Sequence, residues 1–384
     1  MQFKSTVSVG SVYLHWPFCP YRCHFCPFVA LAGQDEFMES YHEALKKEIL
    51  LYQENTICKK QILKTVFLGG GTPSTYPTHL LLDTFDILKK VFNFDRDIEI
   101  TIEVNPGTVS EEKVKAWKSA GINRISIGVQ SLKDKSLHSL NRIQSKQDVC
   151  QLMNFLPEYI ENISVDLIMG LPNVSFAEWK KDLAEIVTWK IKHISVYFLT
   201  IHEDTRLFFN IKQGKVTIPS DNYMVETYNW TQKFLHNHGF EQYELSNFAR
   251  LGYYSRHNSV YWDRKPYKGF GLGACSFDGT LRIQNEINLQ KYIESSGKKD
   301  SAMTYEYLTE EQIRLEKVLL GLRRITGVLF QDIAYGLSAE KKDLLQNQIN
   351  NFEQEGLLFF DGSVVRLTQQ GLILENQIIS RLIV

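Results

Sequence analysis

From residue 11 to about residue 200, short β-branched apolar runs alternate with longer stretches whose apolar positions recur at helical spacing. Ser11 to Trp16 reads as a first strand. A helical pattern from Glu36 to about Tyr52 follows, with Tyr41, Leu45 and Ile49 at i, i+4 and i+8. A second strand, Thr65-Val66-Phe67-Leu68, runs straight into Gly69-Gly70-Gly71-Thr72-Pro73, and a helix over Thr78–Val91 leads to a third, Ile98–Val104. Asn105-Pro106-Gly107 breaks that strand, and Ser110 followed by Glu111 and Glu112 opens the next helix with a capping hydroxyl and early acids. Arg124–Gln130, Ile163–Met169 and His193–Leu199 supply strands four to six. Six βα units call for parallel strands joined by crossover helices, yet fall short of the eight in a closed barrel. The expected fold class is therefore α/β, a partial (β/α)6 TIM-type barrel. A doubly wound sheet is the second reading.

Beyond this region the pattern loosens. A helix over Asn222–His236 and a strand-like Phe240–Leu245 precede an aromatic-rich stretch. The alternating glycines of Tyr267–Ala274 lack the strand–turn–helix setting of a dinucleotide site, so they serve close approach to another chain segment or to a flat ligand. Near the C-terminus, Leu357–Phe360 and Val364–Leu367 flank Asp361-Gly362 as a hairpin behind two or three helices. That is the outline of a small α+β winged-helix-like module. The predicted organisation is a barrel over residues 1–205, an irregular aromatic-rich extension over 206–305 and the module over 306–384.

Composition narrows the function. A formal net charge of −1 over 384 residues provides no field for nucleic acid or an anionic membrane, and Arg323-Arg324 with Lys341-Lys342 do not make a basic face. The module therefore reads as one for packing or partner docking. No apolar run reaches the roughly 20 residues of a bilayer span, which leaves at most peripheral contact with a membrane-bound partner. Residues 1–10 lack the apolar core of a signal peptide, so a cytoplasmic, reducing setting is the expectation.

The chemistry gathers at the predicted strand ends. Behind the first strand come Cys19, Cys23 and Cys26 at C-x3-C-x2-C spacing. Thiolates this close suit one soft metal centre. A structural zinc site would need a fourth ligand from His15 or His24, and no second knuckle follows. A 4Fe-4S cluster with full protein ligation takes four cysteines, and Phe28 stands where the fourth would fall. Three thiolates leave one iron open to a cofactor or substrate. Gly70-Gly71-Thr72, Glu103, Gln130 and Asp166 also follow or end strands, and the C-terminal strand ends form the active face of parallel βα folds. Cys58, Cys150 and Cys275 read as packing residues.

Taken together, the cysteine spacing, the glycine-rich end of strand two and the six-unit pattern resemble the radical S-adenosylmethionine (SAM) superfamily. Within it, Phe67–Pro73, Glu103–Gly107, Ile127–Ser131 and Asp166–Pro172 resemble the oxygen-independent coproporphyrinogen III oxidase family over most of the chain. Phe28 in place of a further cysteine, and His257-Asn258-Ser259-Val260-Tyr261-Trp262 as an H-N-x-x-Y-W block, resemble its heme-chaperone branch. The resemblance implies a 4Fe-4S cluster on Cys19, Cys23 and Cys26, with SAM on the open iron. It implies that Gly70 and Glu103 contact SAM, that Tyr13 and Phe25 surround cluster and cofactor, and that Gly71, Thr72, Gln130, Arg142 and Asp166 surround a second SAM. Arg142 would clamp a carboxylate of that second SAM or, failing that, sit on the surface after a helix. His257 would bind heme, and heme would pass to an acceptor protein. Radical oxidative decarboxylation of coproporphyrinogen III is the alternative. The chain departs from the family pattern at Pro27, Ser255 and Cys275.

Overall fold

The computed structural model describes residues 7–55, 60–298 and 303–383, so Cys58 lies outside the described residues. The chain divides into two compact units: residues 1–219 with 266–306, and 220–265 with 307–384. The stretch 206–305 is thus shared between the units, where the sequence pattern set it apart as one extension.

The first unit is built on β1 (Ser11–Trp16), β2 (Ile62–Gly70), β3 (Asn93–Val104), β4 (Arg124–Gln130), β5 (Asn162–Met169), β6 (His193–Phe198) and β7 (Lys268–Phe270). They lie in the order β7-β1-β2-β3-β4-β5-β6, every neighbouring pair parallel. From β1 to β6 that order never reverses, which is barrel winding; a doubly wound sheet would reverse at a switch point. The crossover helices are α1 (Met38–Asn55), α2 (Thr78–Val91), α3 (Glu111–Ala120), α4 (Lys146–Tyr159) and α5 (Phe176–Ile186). Side-chain caps set where they begin. Ser110 accepts from Lys113 N–H, while Ser145 with Asp148 and Ser175 with Glu178 form reciprocal capping boxes.

Each strand carries two chemically different faces. On β4, Ile125, Ile127 and Val129 are fully buried among apolar groups, as are Ile163, Val165 and Leu167 on β5 and Ile194 and Val196 on β6. The alternate positions are Arg124, Ser126, Gly128 and Gln130, then Ser164 and Asp166, then His193 and Ser195. Period-two alternation therefore sends the aliphatic side chains one way and a polar set the other. The polar set is paired: Ser126 Oγ donates to Asp166 Oδ2 at 2.8 Å, Ser164 Oγ lies 2.8 Å from His193 Nδ1, and Thr65 Oγ1 donates to Ser11 Oγ at 2.9 Å. The interior of a closed (β/α)8 barrel is usually filled by branched apolar residues. Here it is polar and hydrogen-bonded.

β7 is too short to read from sequence. It joins the sheet edge beside β1, in register Tyr13 with Gly269. A Cβ on Gly269 would lie 2.1 Å from the Cys275 carbonyl oxygen, and one on Gly271 2.5 Å from the Tyr41 hydroxyl. Close approach to other chain segments is what these glycines provide. Glu48 fastens the same stretch, accepting from Gly271 N–H at 2.9 Å, Asn285 Nδ2 at 2.8 Å and the Tyr292 hydroxyl at 2.7 Å.

In the second unit, the hairpin strands Leu358–Phe360 and Val364–Leu367 pair antiparallel, and Val328–Leu329 adds a third strand. Helices Glu310–Leu322 and Ala339–Gln354 contribute Val318, Leu322, Leu345 and Ile349 to a core with Val365 and Leu372. Together with helix Glu375–Leu382, which adds Ile378, Ile379 and Leu382, these helices and the small hairpin sheet share one core in a winged-helix outline, with helix Asp221–Asn237 added from the middle of the chain.

Gly269→Ala should destabilise the chain by about 2 kcal/mol, the typical cost of forcing a methyl group into a filled site. The urea midpoint measures it, and an unchanged midpoint would contradict the close approach described here.

Candidate functional site

The three cysteines occupy a loop that begins on the short strand Phe18–Cys19. Its backbone is fastened from several directions. His24 N–H donates to Leu140 O at 2.9 Å, Leu207 N–H donates to His24 O at 2.8 Å, and Asn141 Nδ2 donates to Arg22 O at 2.8 Å. Asn105 Nδ2 reaches the Tyr21 hydroxyl at 2.6 Å. The glycine-rich segment after β2 is zipped to the same loop: Gly71 N–H donates to Trp16 O at 2.7 Å and Thr72 N–H to Phe18 O at 2.9 Å. A Cβ on Gly71 would sit 2.4 Å from Pro17 O, so only glycine admits this approach.

All three thiols line one cavity of about 510 Å³, together with Phe25, Gly70, Gly71, Thr72, Glu103, Gln130, Arg142 and Asp166. Among the described residues, no three Cys, His, Asp or Glu side chains converge on a single ion. Three thiols lining one cavity suit a cluster in which each thiolate holds a different iron. Burial pushes the Cys19 thiol up to about 11 and raises Cys26 as well. Without a cation these sulfurs stay protonated, and a bound metal is what holds them as thiolates. Thr72 Oγ1 donates to Cys19 Sγ at 3.3 Å, which favours the anionic form of that sulfur, and Arg142 Nη1 donates to Cys23 Sγ at 3.7 Å. The donor set fits an iron–sulfur cluster with three protein ligands.

The same cavity carries two carboxylates. Burial, with Asp166 nearby, pushes Glu103 up to about 8, although Gly70 N–H donates to it at 3.3 Å. Asp166 is raised by burial too, against hydrogen bonds from Ser195 and Ser126 and the charge of Arg124. Two acids held above their usual range, in a cavity, are ready to ionise against an incoming cation. Gln130 has a φ of +64°, costly for a residue with a Cβ, and follows a register shift between Gly128 and Gln130. Such strain persists where surrounding structure imposes it. Arg142 faces the cavity, with Nη2 donating to Gly128 O at 2.6 Å and Nε to Gln144 Oε1 at 3.0 Å.

Two expected residues stand elsewhere. Tyr13 does not line the cavity: its hydroxyl lies 3.0 Å from His15 Nδ1 and its ring stacks on Phe67 at 6.2 Å, behind Gly69. His257 belongs to the second unit, where it is fully buried with Nε2 2.8 Å from the Tyr261 hydroxyl. That bond engages Nε2, and His257 is not among the residues lining the cavity. Cys275 lies on a strand paired with Gln284, away from the cavity lining. Among the cavity residues that the sequence did not single out are Ser126 and His202. Ser126 was detectable as a polar position two before Gly128 and four before Gln130 in an apolar strand. His202 gave no such signal, because it sits in a loop after β6.

With this geometry established, comparison with known proteins becomes informative. A family model described as the radical SAM superfamily matches residues 13–186, and one described as the HemN C-terminal domain matches residues 308–374. The heme chaperone HemW of Bacillus subtilis is 35% identical over 375 residues, covering 96% of this chain and 97% of the relative. The chain belongs to the HemW branch of the radical SAM superfamily. A mitochondrial radical S-adenosyl methionine domain-containing protein 1 from Danio rerio is 32% identical over 389 residues, covering 96% of this chain and 86% of that one. Coproporphyrinogen III oxidase (HemN) from Escherichia coli superposes with a TM-score of 0.84 at 21% identity, covering 99% of this chain and 91% of that one, so the two share a fold.

The raised Glu103 makes a pH prediction. An acid neutral in the folded state contributes stability below its unfolded pKa and loses it as pH rises through about 8. Glu103→Gln in the cofactor-free chain should therefore gain stability relative to the parent as pH climbs from 5 to 9, read from urea midpoints. A difference that does not change with pH would place Glu103 in contact with water.

Proposed function

We propose that this chain is a heme chaperone of the radical SAM type, binding a 4Fe-4S cluster, SAM and heme and passing heme to an acceptor protein. One observation supports the cofactor part above all: three thiols, a glycine cradle and two neutral-leaning acids share one cavity. The heme part rests on relatives named heme chaperones that match nearly end to end.

In this reading Cys19, Cys23 and Cys26 hold the cluster. The chemistry such a cluster supplies when bound is one-electron reduction of a sulfonium. The remaining work belongs to the chain. Gly70 and Gly71 let the segment after β2 pack against His15 and Pro17 while lining the cavity, which offers SAM their backbone. Glu103 gives up its proton and pairs with an ammonium or the ribose hydroxyls. Thr72 and Arg142 steady the thiolates, and Arg142 is the cation placed for a carboxylate of a second ligand beside Gln130 and Asp166. Phe25 screens the cluster from water, packed with Leu140, Leu171 and Leu207.

Anaerobically reconstituted protein should contain iron and sulfide in equal amounts and show broad visible iron–sulfur absorption that changes on adding SAM. Cys23→Ser should lose that absorption. Heme should be retained and then appear on an apo-acceptor, while coproporphyrinogen III stays unconverted. Formation of protoporphyrinogen would replace the chaperone with the oxidase, and zinc in place of iron would remove the radical SAM chemistry.

A further inference from the structure

The cavity has two chemically different parts. Its polar part carries Glu103, Ser126, Gln130 and Asp166. The other is formed by Pro27 and Phe28 after the cysteines, Tyr197, Phe198 and Leu199 at the end of β6, and His202 beyond it. Phe28 and Tyr197 are large aromatics that remain 63% and 40% exposed on this rim. Exposed aromatic surface around a concave mouth points to a flat apolar ligand. The polar part does not need it, because a SAM-sized polar ligand is served by the groups below.

An imidazole stands in that apolar part. Of the ten histidines in the chain, His202 is the one lining the cavity. The buried histidines are committed elsewhere: His15 to Tyr13 and Val29, His42 to Tyr76 and Asp83, His193 to Ser164, and His257 to Tyr261. His202 is also held in place. Its carbonyl accepts from the Thr205 N–H at 3.1 Å and the Thr205 hydroxyl at 2.6 Å, and Thr205 in turn caps the helix Arg206–Lys212. A capped turn fixes the backbone, and the partly buried ring lines the cavity.

We infer that this apolar mouth is where the iron porphyrin sits, with His202 as the axial ligand and Phe28 and Tyr197 against the macrocycle. The inference rests on the heme-chaperone reading and moves the metal contact from the H-N-x-x-Y-W block to the cavity. Imidazole is a common axial ligand for heme iron, and aromatic side chains stack on porphyrin faces. Ligation and stacking make separable contributions, which sets the test.

The anaerobically purified full chain and its His202→Ala, Phe28→Ser and His257→Ala variants are titrated with ferric heme and, separately, with metal-free protoporphyrin IX. His202→Ala should weaken heme binding by about tenfold or more and shift the Soret band, while protoporphyrin affinity stays within about twofold. Phe28→Ser should weaken both porphyrins, and His257→Ala, where it folds, should keep the parent Soret band. Unchanged heme affinity and spectrum in His202→Ala overturn the assignment, as does an equal loss for both porphyrins. A parent chain that binds no heme overturns it together with the chaperone reading. Heme binding that ignores His202 overturns this assignment alone.

Discussion

Burying a polar group costs free energy unless that group is hydrogen-bonded, and most of this site follows from that constraint. The strands of the barrel keep their aliphatic residues on the outer face, leaving Ser, Asp, Glu, His and Arg inside. The inner face is affordable only as a network, and Ser126, Asp166, Ser164 and His193 form one. Its upper end, where Glu103 and Asp166 meet the cavity, is incompletely compensated, and their raised pKa values express that. A cationic or hydroxyl-bearing ligand completes the network. Binding capacity is thus a by-product of how the interior is held together.

The cysteine loop has a different cause. Short loops carrying three thiols have no hydrophobic reason to adopt one shape. This one borrows its shape from its neighbours, through backbone bonds to Leu140 and Leu207 and side-chain bonds from Asn105 and Asn141. The glycine segment after β2 does the same from the opposite side. Cluster ligands and cofactor cradle are therefore positioned by one another, as preorganised sites require.

Much of this was legible along the chain. β1, α2 and β4 fall where hydrophobic periodicity and breaker residues placed them, and Ser110 caps α3 as its spacing implied. The cavity residues were found because cysteines, glycines and acids at strand ends are unusual in composition as well as position. Three features stayed hidden for physical reasons. β7 is three residues long with a central glycine, so neither propensity nor alternation marks it. Tyr13 shares the inner face with cavity residues, but only packing shows that it lies behind Gly69. His257 has the sequence setting of a ligand, and its burial against Tyr261 is a tertiary fact no local pattern carries.

Because 220–265 and 307–384 form one unit while 266–306 returns to the other, the polypeptide passes between units three times. Neither unit can therefore mature from a contiguous stretch as it leaves the ribosome. The sheet waits for residue 270 to supply its edge strand, and helix Asp221–Asn237 waits for partners made last. A product released between residues 240 and 265 would expose an orphaned helix and an open sheet edge. Quality control of this protein is in that sense written into its connectivity, since only the finished chain covers both.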